Sequence, residues 1–175
     1  TGNFSHKQLI SMFNDYLGVN GVYAVHPLLG EPNGHIDMFM TMLNKNIAVI
    51  AEIDPTVDPE NSERLNKTAE FISSVTTSMG PIKVKRIPMP PKWGNDWRSY
   101  TNIIMANGVL LMPSYSDVET QLEDRVEEIY RSSLPDGWEI KRINCDSLVA
   151  LRGQLHCMSY SCLLYTSPSP RDPHL

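Results

Sequence analysis

The order strand, strand, helix, strand occurs twice in this chain, and that repetition restricts the fold more than any other feature. Residues 35–43 alternate apolar positions (Ile36, Met38, Met40, Met42), residues 44–46 form a tight turn, and 47–53 are a nearly continuous apolar strand stopped by Asp54-Pro55. An amphipathic helix is predicted over 61–74 through Leu65, Ala69 and Ile72, and a half-exposed strand over 82–87. The same order returns after a Pro/Gly-rich connection, 88–95. Residues 100–106 and 109–112 read as strands around the hairpin signal Asn107-Gly108, with Pro113 closing the second. A helix is expected over 117–131, capped by Asp117 or Ser116, and a closing strand over 138–143. The two copies are offset by about 62 to 66 residues, a period that implies units packed side by side around a common axis. Before them, a helix over 5–17 opens on the capping box Ser5-His6-Lys7-Gln8 and stops at Gly18, and 22–25 reads as a short strand. These look like the second half of an earlier copy, and 153–160 reads as the start of a later one.

Composition limits the chemistry. Apolar types fill 41% of the chain and charged types 20%, enough apolar material for a buried core. A formal charge of -5 disfavours a general nucleic-acid binder, which would carry a basic face, and suits a cationic small substrate. No apolar run reaches the roughly 20 residues of a membrane span. Three cysteines do not make a disulfide framework, so a reducing compartment, the cytoplasm, is the expectation. Both ends read as cut. From about Ser161 the chain resembles the translation of a transposase-type sequencing adapter, so 161–175 is expected to be a non-native, disordered tail and 1–160 the authentic domain.

In a radial array, matched positions of successive units converge near the axis. The three unit starts there offer His35-Ile36-Asp37, Tyr100-Thr101-Asn102 and Gln154-Leu155-His156-Cys157. On an extended strand, His35 and Asp37 share one face, whereas His156 points away from Cys157 and reads as structural. A nucleophile, an acid/base group and acceptors for a cation are thereby available. The same types can ligate zinc, but no paired-ligand spacing such as Cys-x2-Cys is present, and no metal or organic cofactor is expected. Cys145 reads as an inert thiol, and Trp93, Trp97 and Tyr100 as aromatic packing or a substrate-covering loop.

Asn33-Gly34-His35-Ile36-Asp37, Ser99-Tyr100-Thr101-Asn102 with Ala106-Asn107-Gly108-Val109, and Gly153-Gln154-Leu155-His156-Cys157 together resemble the agmatine deiminase / bacterial peptidylarginine deiminase family of the guanidine-modifying superfamily. The resemblance runs from about Thr1 to Tyr160 and implies the C-terminal half of an α/β five-bladed propeller (pentein) of ββαβ units. It implies Cys157 as nucleophile, His35 as acid/base, Asp37 as acceptor of guanidinium N–H groups and Asn102 as a pocket residue. The substrate would be a small cationic guanidino compound or an arginyl peptide, the products a ureido compound and ammonia. The family's further acidic clamp, from its N-terminal half, has no counterpart in this chain, and its glycine run before the His-Cys pair is reduced to Gly153. An amidinotransferase of the same fold and a catalytically inactive propeller used for binding remain open alternatives. The resemblance leaves the oligomeric state open.

Overall fold

The computed structural model describes residues 4–19 and 21–160; the adapter-like stretch 161–175 lies outside them. Two three-stranded mixed sheets form its centre. In the first, β1 (Met40–Asn44) pairs antiparallel with β2 (Ile47–Glu52). The chain then crosses through α2 (Pro59–Ser74), which follows α1 (His6–Leu17), and a small hairpin of β3 (Thr76–Thr77) and β4 (Gly80–Pro81). It returns as β5 (Lys83–Pro88), parallel to β2. The second sheet repeats this order with β6 (Ile104–Ala106), β7 (Val109–Ser114), α3 (Thr120–Arg131) and β8 (Glu139–Asn144). A short helix, α4 (Asp146–Val149), follows. Both predicted ββαβ units are therefore present, with helices where a parallel return requires a crossover.

Local chemistry explains the boundaries. Asn107 and Gly108 both take positive φ (51° and 78°), the geometry of a tight two-residue hairpin. Asp58 accepts from the Asn61 N–H at the start of α2, with Pro59 in its first turn. The Ser5–Gln8 capping box forms as expected, and Gly18 ends α1 in the left-handed region.

Two apolar clusters divide the core. Ala48, Ile50, Leu65, Ile72 and Trp97 belong to the first, and Leu110, Met112, Val126, Tyr130 and Cys145 to the second. Val49 and Ile87, from the first sheet, pack into the second cluster, so that sheet is covered on both faces. This accounts for the unbroken apolar run of β2, since a strand buried on both sides has no solvent face to mark with polar residues.

Several expectations fail. Residues 22–25 form no strand. His35 lies just before a single 3-10 turn (Ile36–Met38), so β1 begins only at Met40, and the shared strand face inferred for His35 and Asp37 does not exist. Residues 100–103 are irregular, which removes Asn102 from a strand, and 153–160 form no strand, with a turn at 155–158. Pro113 sits inside β7, beyond the end of its pairing with β6, where a missing N–H breaks no bond on that side. Helix α3 starts at Thr120 because both expected caps are engaged elsewhere. Asp117 binds the Arg98 guanidinium, and the Ser116 hydroxyl donates to Asp146.

Candidate active site

The three separated motifs meet despite losing their strands. Nδ2 of Asn102 donates to Sγ of Cys157 at 3.1 Å, and Oδ1 of Asn102 accepts the main-chain N–H of His156 at 2.9 Å and of Cys157 at 3.3 Å. Asn102 is fully buried, so leaving its own amide unsatisfied would be costly. The Cys157 thiol also lies 3.4 Å from Oδ2 of Asp37, to which it can donate. Ligand-type atoms of His35, Asp37 and Cys157 all fall within 4.8 Å of one another. All four residues named from the sequence are thus in one place.

Each is held by its own local device. Glu31, buried beside the turn, accepts the N–H groups of Asn33 and His35, at 3.1 and 2.9 Å. The chain turns through Gly34 at φ 70°, a conformation glycine adopts without a Cβ penalty. The main-chain carbonyl of Asp37 accepts the Thr101 hydroxyl at 2.9 Å, tying the first motif to the second. In the third motif, a Cβ at Gly153 would stand 2.8 Å from the Cys157 Cβ and 3.3 Å from its sulfur, so only glycine lets the loop fold back onto Cys157. Next to it, fully buried Gln154 donates to the Trp97 carbonyl at 3.1 Å and fixes the loop to the first core cluster.

His156 corrects the sequence reading. Its Nδ1 lies 2.6 Å from Oδ2 of Asp37, facing the site and not the opposite side. In a turn, neighbouring side chains do not alternate as they do on a strand, so the orientation inferred for His156 had no basis once the strand was lost. Glu31, Thr101 and Gln154 were given no role in the sequence reading, although Thr101 and Gln154 stand within its motifs. Glu31 carried a signal, an acidic residue immediately before a Pro-Asn-Gly turn, where a carboxylate can collect loop N–H groups.

Electrostatics bear on the thiol. Burial pushes the Cys157 thiol above its ordinary range; the Asn102 amide and a Gln154 main-chain N–H oppose this, whereas the neighbouring Asp37 carboxylate adds to it. A cation bound against Asp37 would remove that last penalty and favour the thiolate. Around these groups is an open cavity of about 490 Å³, lined by Gly34, His35, Ile36, Asp37, His156 and Cys157. The remaining sequence candidates lie apart. Cys145 is buried, donates to the Ile143 carbonyl and has its thiol raised by burial. Trp97 and Tyr100 are core residues, whereas Trp93 is exposed, with the Arg98 guanidinium 5.0 Å from its ring centre. As a ligand set, His35, Asp37 and Cys157 offer a metal three atoms among the described residues.

This mixed α/β fold is that of solved deiminases. A Campylobacter jejuni agmatine deiminase with substrate bound superposes with a TM-score of 0.70 at 15% identity, over 87% of this chain and 45% of that one. An Enterococcus faecalis agmatine deiminase gives 0.69 at 18% identity, over 87% and 47%. In sequence, the agmatine deiminase of Pseudomonas syringae pv. syringae is 21% identical over 182 residues, covering 90% of this chain and 48% of that protein. The chain therefore spans about half the length of the curated relatives it matches. The Porphyromonas-type peptidyl-arginine deiminase family model matches residues 2–162, and the chain belongs to that family.

Proposed function

We propose that this chain carries the nucleophile side of an enzyme that deiminates a guanidinium compound, agmatine-like or arginine-like, within a five-bladed propeller of which 1–160 form the C-terminal half. The observation that carries the reading is the convergence of Cys157, Asn102, Asp37 and His35 from three separate segments. Asp37 accepts guanidinium N–H groups, a match of planar donor fork to carboxylate. The Cys157 thiolate attacks the central carbon, forming a C–S bond. As a C–N bond breaks, protonated His35 gives its proton to the departing ammonia. His35, now neutral, takes a proton from water; the resulting hydroxide adds to the same carbon, and the C–S bond breaks to release the thiolate and the ureido product, whose added hydroxyl loses its proton to the freed ammonia. Substrate plus water thus equals ureido product plus ammonium, with no redox partner. Relatives named agmatine deiminase and the peptidyl-arginine deiminase family support this reaction class.

The test uses a chain extended to the full length of its relatives, incubated with agmatine, free arginine and an arginyl peptide, with ammonia and ureido product assayed. Cys157→Ser should abolish both products, and a variant as active as the parent would sink the mechanism. Product formed only after an amine acceptor is added would instead mark an amidinotransferase.

A further inference from the structure

Residues 99–103 are all buried, yet no strand ladder pairs them. Buried carbonyls need partners, and here side chains provide them. The Tyr115 hydroxyl donates to the Ser99 carbonyl at 2.8 Å, and the Tyr130 hydroxyl to the Tyr100 carbonyl at 2.7 Å. Glu123 joins the two ends of this arrangement: one carboxylate oxygen accepts the Tyr100 hydroxyl at 3.1 Å and the Tyr115 main-chain N–H at 2.7 Å. Downstream, Thr101 bonds Ser99 and the Asp37 carbonyl, and Asn102 bonds the Cys157 loop. A rigid strand would orient Asn102 by its ladder. In its absence, two phenols from β7's end and α3 take over that task.

We propose that Tyr115 and Tyr130 are positioning residues which, through the main chain of 99–102, set the Asn102 amide and with it the Cys157 thiol; the kinetic part of this proposal rests on the deimination reading above. The assignment follows from chain connectivity. Asn102 lies two residues beyond the carbonyl that Tyr130 holds, and its amide makes three bonds to the Cys157 loop beside a long one to Sδ of Met38 at 4.0 Å. Burial raises the Tyr115 and Tyr130 phenols well above their usual range, so both remain protonated donors.

Tyr115→Phe and Tyr130→Phe each delete one oxygen and keep the packing. In the full-length protein, kcat per titratable Cys157 thiol should fall about tenfold while KM stays within about twofold, since the displaced group acts on the nucleophile. Alkylation of the Cys157 peptide by iodoacetamide at neutral pH, read by mass spectrometry, should slow by a similar factor. Leu65→Ala, in the first core cluster, serves as the control: it should lower the melting temperature without changing either rate. If both Phe variants match the parent, or change no more than that control, the proposal is overturned. Alkylation that responds to the Phe variants in a protein releasing no ammonia from any guanidine would support the positioning role and overturn the deimination reading. Deimination with kcat unmoved in both would do the reverse. Should one Phe variant fail to fold, the other still decides.

Discussion

The amide of Asn102 donates to the sulfur of Cys157 across 55 residues of sequence, and its oxygen collects the two N–H groups that lead into that sulfur. A single buried side chain therefore sets both the position of the loop and the environment of the thiol. Several consequences can be measured.

Asn102→Ala removes a donor to the thiol and the side-chain acceptor of two N–H groups, of which that of His156 keeps the residue-102 carbonyl at 3.4 Å. Cys157 alkylation at neutral pH should slow about tenfold, and stability should fall by about 1–3 kcal/mol. Mass-mapped iodoacetamide kinetics and chemical denaturation read the two effects. In the same experiment the Cys145 peptide should stay unlabelled, because its thiol is buried.

Asp37→Asn separates thiol reactivity from turnover. The carboxylate raises the Cys157 thiol, so removing its charge moves that group back toward its ordinary range. At neutral pH the thiolate fraction then rises, and alkylation should speed up. Deimination should nonetheless fall by about a hundredfold or more, since the guanidinium loses its charged acceptor. Faster labelling with intact turnover would show that Asp37 does not hold the substrate.

In the parent protein the raised thiol predicts that the alkylation rate keeps climbing as pH passes the ordinary cysteine range. Saturating guanidinium ligand, such as agmatine with a slow-turnover variant at His35, should shift this rise to lower pH. A profile indifferent to the ligand would argue against binding at Asp37.

Gly153→Ala places a methyl group 2.8 Å from the Cys157 Cβ, so the loop must move. We expect a loss of about 1–3 kcal/mol on denaturation and a lower alkylation rate. Its neighbour offers the opposite change. Arg152 occupies the left-handed region at φ 60°, and Arg152→Gly should stabilise the fold by about 0.5–1 kcal/mol, the relief of backbone strain less glycine's entropy.

The repeat was readable because each helix and central strand declares itself locally. Residues 47–51 and 109–113 are apolar throughout, and α2 and α3 show a helical period. The motifs named residues that lie together in the fold, but their local geometry was not readable. Ile36, Met38, Met40 and Met42 alternate as a strand would, yet Met38 and Phe39 are both buried because a 3-10 turn changes the phase between them. Likewise Ser99–Asn102 resembles a strand start, but its carbonyls are taken by tyrosines that lie 16 and 30 residues away in sequence. Such partners depend on tertiary packing, and a local pattern cannot announce them. Helix α1 shows the same limit from the other side: it has the apolar spacing of a packed helix, yet none of its residues is buried among the described contacts.

Val49 and Ile87 belong to the first sheet by their hydrogen bonds and to the second cluster by their packing. The repeat visible in the sequence is consequently a poor guide for dissecting the molecule. Cutting the connection after β5 would leave each fragment with its own strands but would strip one side of the first sheet to water, so the two copies are a single cooperative body with a duplicated blueprint.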